Sequence, residues 1–393
     1  MTIFPKIENI TRDASISHFL LMFGYRIFSV YFPLFLVAKS FSTPQIGYAH
    51  FLIYLPIALF APLAGFLNHK INPAILMAAG IFGYGIYSLG MIIFTNHLIF
   101  YLFQVILGIS AALFFVSSRA ILMGSKLENP NRAFAWFYSA PSYGDAVSPA
   151  LGALLIWKFG FTGVFTIGFI LHFANAIFCF VKLRKRADPL TEPIKIKEAG
   201  QNYLKTLEII RKRESYPFIF VSFLVLLLAG FNNAFFVLFL KNLGFSFNQI
   251  LVFNSVLSLV FVPVSIWIIR RIAKLRSEKN ISLGSQIVGI FSMLLGGFSG
   301  ILNFFSAFLL IIGQYAGSLM VGSGRSGLLT ARLKEYPEES AAVDTVFSPL
   351  ATAIGALVGG LIIIPLGYPL IFIIFGVLIF GVGTIKIRTH VRD

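Results

Sequence analysis

A stretch of sixteen residues occurs twice in this chain, 204 positions apart. Tyr31 to Ile46 reads YFPLFLVAKSFSTPQI, and Phe235 to Ile250 reads FFVLFLKNLGFSFNQI. Eight pairs are identical: Phe32/Phe236, Leu34/Leu238, Phe35/Phe239, Leu36/Leu240, Phe41/Phe245, Ser42/Ser246, Gln45/Gln249 and Ile46/Ile250. A repeat of this length, in a chain built almost wholly of apolar spans, means two homologous membrane-embedded halves.

Hydrophobic residues make up 58% of the 393 and charged residues 12%. A soluble domain carries about 25% charged residues, so a water-exposed surface is excluded. Apolar runs of about 20 residues cross a bilayer as helices. Twelve are expected, at about 15–38, 44–66, 74–95, 98–122, 134–157, 163–183, 217–240, 248–270, 281–302, 304–328, 341–363 and 366–386. The expected fold is an all-α membrane protein of two pseudo-symmetric six-helix bundles, 1–183 and 217–393, joined by a basic linker, 184–216. The first span is too long for the apolar region of a signal peptide and lacks a small-residue cleavage site, so it is read as a retained transmembrane helix. The single cysteine, Cys179, excludes an intrachain disulfide and a cysteine-based metal cluster. It is read as a packing residue.

A net charge of +16 raises nucleic acid as a partner, and the distribution of the charge dismisses it. With the N-terminus on the cytoplasmic side, all Lys and Arg fall on that side except Lys39, Lys158, Lys241 and the intramembrane Arg26. By the positive-inside rule both termini are cytoplasmic, in a cytoplasmic (inner or plasma) membrane. Anionic lipid headgroups are the expected partner of the excess charge. Within the linker, the segment from Tyr203 is read either as a short helix on the membrane surface or as a flexible basic connector. Trp136, Trp157 and Trp267 lie near span ends, as interfacial anchors do. Glycine spacings such as Gly296/Gly300 and Gly355/Gly359 suit close helix packing.

The repeat continues in weaker form. Ser117-Ser118-Arg119 resembles Ser323-Gly324-Arg325, and Leu151-Gly152-Ala153-Leu154 resembles Ile354-Gly355-Ala356-Leu357. Together with the twelve expected spans, the basic central loop and the run from Pro33 to Gly47, these features resemble the major facilitator superfamily over nearly the whole chain. The superfamily's motif after its second helix, G-x-L-x-D-R-x-G-R, is matched in part by Gly65, Leu67 and Lys70, with His69 where an acid is usual. Gln104 to Ala112 resembles the fourth-helix motif of proton-driven drug exporters, with Gln104 in place of its arginine. Ser148 to Gly152 resembles their fifth-helix G-P-x-x-G motif, with Ser148 replacing the first glycine.

Arg26 is the sharpest site candidate. A charge in mid-membrane costs about 2.5–3.5 kcal/mol on insertion scales, so it is expected to face a watery cavity or a counter-charge. The resemblance implies that the first helix lines the central cavity and packs beside the fifth, which makes Asp145 its partner. Two readings stand: a permanent structural ion pair, or a site in which Arg26 binds an anionic group of the substrate or Asp145 carries the coupling proton. Arg26 shares a helix face with Ser29, and Tyr25 lies on the neighbouring stripe. The resemblance adds Gln104, Asn232, Asn233, Gln314 and Tyr315 as polar lining, and Asn232 and Asn233 align with Phe28 and Ser29 under the repeat. His50 and Asn254 are repeat-equivalent and are read as interhelical hydrogen-bonding residues, and His172 as a packed histidine. Asn68, His69, Lys70, Arg119, Arg325 and Asp344 are expected near a cytoplasmic gate.

The sequence contains no GxxxxGK[ST] loop, and its six histidines show no HExxH or other metal spacing. No enzyme activity, cofactor or metal is expected. The expected function is secondary active transport of a small organic solute by alternating access, coupled to an ion, most naturally the proton. The alternatives are an antiporter exporting drug-like amphiphiles and a lipid flippase on the same scaffold. A monomer is expected.

Overall fold

The computed structural model describes residues 7–125, 127–128, 130–185, 215–272, 275–332 and 337–385, without the side chains of 130–132, 135, 272, 330, 337–345 and 385. The central linker expectation lies largely outside these residues. Among them every regular element is a helix. In chain order these are α1 (Asn9–Ser29), α2 (Phe32–Ala38), α3 (Thr43–Leu67), α4 (Pro73–Ile93), α5 (His97–Met123) and α6 (Pro130–Leu183). There follow α7 (Tyr216–Asn242), α8 (Phe247–Ile272), α9 (Ser277–Gly297), α10 (Phe304–Arg332) and α11 (Pro337–Ile385), with one 3₁₀ turn at Ser299–Ile301.

Nine of the described helices are long and apolar enough to cross a membrane, or ten when α1 and α2 count as one bent span. Two of them, α6 and α11, are each two helices joined across a kink. Each turns at a glycine in the left-handed region, Gly160 (φ 66°) and Gly367 (φ 70°), a conformation that a Cβ makes costly. Counted as two segments each, α6 and α11 fit the twelve expected spans. The first expected span instead breaks by 42° between α1 and α2. Pro33 supplies no N–H to the Ser29 carbonyl, and Tyr31 N–H bonds only three residues back, to Phe28 O at 3.0 Å.

The repeated stretch has a local physical basis. In both copies a helix ends in a Schellman cap, with Ser40 (φ 64°) or Gly244 (φ 88°) at the left-handed position. Phe41 N–H reaches back to Leu36 O at 3.0 Å and Ser40 N–H to Val37 O at 3.0 Å. Phe245 N–H and Gly244 N–H reach Leu240 O and Lys241 O at 3.2 and 3.0 Å in the same way. The next helix opens at once with a capping box. Gln45 Oε1 accepts from Ser42 N–H at 2.8 Å, and Gln249 Oε1 from Ser246 N–H at 2.8 Å. Four of the identities, Leu36, Phe41, Ser42 and Gln45 with their mates, are therefore the residues that stop one helix and start the next.

The chain divides into two compact units, Met1–Phe35 with Leu52–Ile194, and Leu36–Phe51 with Lys195–Asp393. Helix α3 thus contributes its first turns to one unit and the rest to the other. In the first unit α1 packs along α6, and α4 packs on α5 and α6. In the second, α9 packs on α10 and α11, α7 on α11, and α8 on α10. The α1–α6 crossing is closest at Gly152, where a Cβ would collide with the Ile27 carbonyl. The α7–α11 crossing is closest at Gly355, opposed in the same way by the Leu227 carbonyl, and at Gly230, opposed by Thr352. Gly296 and Gly359 also sit against neighbouring atoms, whereas Gly300 faces open space and packs on nothing. Large apolar side chains such as Leu154, Trp157, Ile170 and Ile364 point outward, as they do where lipid is the solvent.

Candidate functional site

The close α1–α6 crossing sets two charges side by side. Gly144 and Gly152 are two turns apart on α6, and they abut Phe23 and Ile27 of α1. The residues beside those contacts, Asp145 and Arg26, are thereby brought together, and Arg26 Nε donates to Asp145 Oδ1 at 2.8 Å. The crossing is pinned beyond them by Tyr31, whose hydroxyl donates to Pro149 O at 2.8 Å. The pair lies in mid-span, yet its side chains are 37% and 43% exposed, so it borders open space instead of being sealed into the core. A charge at this depth is tolerated where it meets a counter-charge or a watery cavity, and Asp145 supplies the counter-charge.

Aromatic rings surround the pair. Tyr25 stands edge-on to Tyr84 with centroids 5.5 Å apart, and edge-on to Phe28 at 5.4 Å. Tyr25 and Tyr54 are within electrostatic reach of the guanidinium. Ser29 holds a buried hydroxyl without a partner. Gln104 is fully enclosed, its amide donating to Phe100 O at 3.0 Å and resting near Met91 Sδ at 3.8 Å. The structure thus brings Tyr25 and Arg26 together with Asp145, and it places Gln104 in the α4–α5 packing layer. His172 is buried, and its Nε2 donates to Leu21 O at 3.2 Å.

In the second unit the polar candidates form a chain. Ser292 Oγ donates to Val288 O at 2.6 Å, and this fixes its only proton. It must therefore accept from Gln314 Nε2, at 2.8 Å. Gln314 then turns its Oε1 toward Asn232 Nδ2, also at 2.8 Å. The polarity of all three bonds follows from one backbone carbonyl, and it leaves Asn232 Oδ1 as a buried acceptor without a partner. Asn233 is exposed, and Tyr315 stands edge-on to Phe261 at 5.7 Å. His50 and Asn254 each donate to the carbonyl four residues back, Ile46 O at 3.0 Å and Ile250 O at 2.9 Å, so these bonds lie within a helix and not between helices as expected, while the two positions do match under the repeat.

The residues expected at a gate lie at helix ends. Arg119 stacks over Tyr138 at 5.7 Å, and Arg325 over Phe347 at 5.9 Å while it donates to Ser348 Oγ at 2.9 Å. Lys70 Nζ sits 4.7 Å above Phe66. Asn68 is 1% exposed, and neither its Nδ2 nor its Oδ1 has a partner. His69 follows it in the turn after α3. The Asp344 side chain lies outside the described residues. Sequence reasoning missed Tyr54 and Tyr84 at the charged pair, Ser292 in the polar chain, and Asp13, an acid 3% exposed beside Arg12. Tyr84 carried a readable signal, a tyrosine in mid-span amid glycines.

Known structures share this fold along its full length. The peptide transporter POT in complex with sulfate superposes with a TM-score of 0.79 at 12% identity, covering 100% of this chain and 96% of its own. A POT family transporter in complex with 5-aminolevulinic acid gives 0.77 at 15% identity, covering 97% and 96%. The nucleoside transporter NupG gives 0.73 at 13% identity, covering 98% and 99%. At such identities the likeness is one of fold. No curated protein sequence matches the chain. The family profile of the Major Facilitator Superfamily, however, matches residues 14–343. With its apolar helices, its internal repeat and a charged pair open at mid-span, the chain is a multi-pass membrane protein that belongs to the Major Facilitator Superfamily of transporters.

Proposed function

We propose that this protein is a secondary active transporter that carries a small polar organic solute across the cytoplasmic membrane by alternating access, with Arg26 and Asp145 at its substrate site. The observation that carries the reading is the exposure of this ion pair in mid-span. A structural pair inside a protein repays its desolvation only with excellent geometry and further hydrogen bonds to its remaining polar atoms, and this one meets through a single contact. Both termini are assigned to the cytoplasm by the distribution of Lys and Arg. Asp145 is assigned the coupling proton, as the acid in direct contact with the intramembrane arginine. In the second unit, Asn232, Asn233 and Tyr315 are assigned to the substrate, with Gln314 and Ser292 orienting Asn232. Arg119 and Arg325 are assigned to the cytoplasmic gate, together with Asn68, His69, Lys70 and Asp344.

Ligand-induced thermal stabilisation tests the assignment directly. The purified protein is screened against metabolites, drugs and lipids, with Arg26→Ala alongside. Small polar solutes are expected to raise the melting temperature of the wild type and not of the variant. Stabilisation by lipophilic cations or neutral drugs that survives the substitution would leave Arg26 a structural residue and contradict the reading.

A further inference from the structure

Arg26 and Asp145 meet through Nε and Oδ1 alone, at 2.8 Å. This side-on contact leaves both terminal amino groups of the guanidinium and Oδ2 of the carboxylate without a partner among the described residues. Both side chains remain more than a third exposed. The open groups are complementary in kind. The free fork of an arginine matches a carboxylate by two parallel N–H···O bonds, and a free carboxylate oxygen accepts from an ammonium. The pair as a whole carries no net charge. A ligand with only a carboxylate is attracted by Arg26 and repelled by Asp145, and a ligand with only an ammonium meets the reverse. A ligand with both groups satisfies both residues at once.

We propose that the Arg26–Asp145 pair selects a zwitterion, its carboxylate on the terminal amino groups of Arg26 and its ammonium on Oδ2 of Asp145. Because the two protein groups are in contact, the ligand charges sit only a few bonds apart, as in an amino acid. Tyr25 and Tyr54, both half-buried, supply aromatic surface for the carbon skeleton, and the buried Tyr84 ring packs edge-on against Tyr25. The proposal rests on the reading of this pair as the substrate site, and it narrows that site from anionic or polar solutes in general to one charge pattern.

The test is a matched panel on the full-length protein in detergent, read by thermal unfolding and by calorimetric titration. For glycine, leucine, phenylalanine and glutamine skeletons, it compares the free amino acid, the N-acetyl amino acid, the amino acid amide and the N-acetyl amide. The free amino acid of at least one skeleton is expected to bind about tenfold or more tightly than its three derivatives. Asp145→Asn, of nearly equal size, is expected to turn the preference toward the N-acetyl anion, and Arg26→Gln to abolish binding of every member that carries a carboxylate. The wild-type panel alone decides the matter, whatever the stability of the variants. Equal or tighter binding of a singly charged or neutral derivative overturns the proposal, and so does the absence of binding by every free amino acid. If anions are preferred and Arg26→Gln abolishes their binding, the pair remains the substrate site and only the zwitterion is wrong. If no ligand depends on Arg26, both readings fall.

Discussion

Ser40 and Gly244, 204 positions apart, hold the same left-handed turn with φ of 64° and 88°. Each closes a helix whose last turn holds Leu36 or Leu240, and each is followed two residues later by a serine that caps the next helix. The two halves have kept the junction and changed the residue that bears its strain. At position 244 glycine adopts the turn freely, and a Cβ there would meet nothing within 4 Å. Gly244→Ser, which copies the first half, is therefore expected to cost about 1 kcal/mol through conformation alone. The check is the melting temperature of the purified protein, where an unchanged value would refute the assignment of strain.

The glycines at the closest crossings are expected to respond far more strongly. Gly152→Ala and Gly355→Ala place a methyl group against the carbonyls of Ile27 and Leu227, backbone atoms that cannot rotate away. Overpacking of this kind costs about 1–3 kcal/mol, and here it also separates α1 from α6 or α7 from α11. Gly300→Ala, which faces open space, serves as the control. The monodisperse yield on size exclusion should fall for the first two and hold for the third.

The polar chain of the second unit is directional, so its members should not act independently. Ser292→Ala removes the acceptor of Gln314 Nε2, and the amide is then free to rotate and release Asn232. Interhelical hydrogen bonds in membranes are worth about 0.6–2 kcal/mol. A double-mutant cycle of Ser292→Ala with Asn232→Ala should show coupling of about 0.5 kcal/mol or more, although the two residues share no bond. Strict additivity would show that the chain does not transmit.

Proton coupling through Asp145 makes a prediction about driving force. In proteoliposomes, uptake of a stabilising ligand should rise when a pH gradient is imposed. Asp145→Asn should lose that rise, and any residual uptake should ignore the gradient. A gradient response undiminished in Asp145→Asn would show that the coupling carboxyl lies elsewhere.

The fold was legible because the bilayer constrains it severely. A span must be apolar for about 20 residues, and twelve such spans with an internal repeat admit few arrangements. Arg26 and Asp145 were legible for the same reason, since each is the lone charge of its expected span. The 42° bend before Pro33 was not, because a proline inside a span need not break it, as Pro56 and Pro62 within α3 show. Gln104 read as a lining residue and is enclosed in packing. The direction of one polar side chain cannot be taken from a span that is apolar on every face. The chain from Ser292 to Asn232 was half visible. Its two amides stood out, and the serine that orients them looked like many other serines in helices.

Arg26→Lys offers the most direct test of the central claim, that the Arg26–Asp145 pair is where substrate binds. Lysine keeps the charge beside Asp145 and loses the planar fork, so a structural pair tolerates it and a carboxylate site does not. The measurement is initial uptake of a stabilising ligand into proteoliposomes by the wild type and by Arg26→Lys, with melting temperatures taken in parallel. The account predicts a melting temperature near that of the wild type and uptake lower by about tenfold or more. Uptake equal to that of the wild type would contradict it.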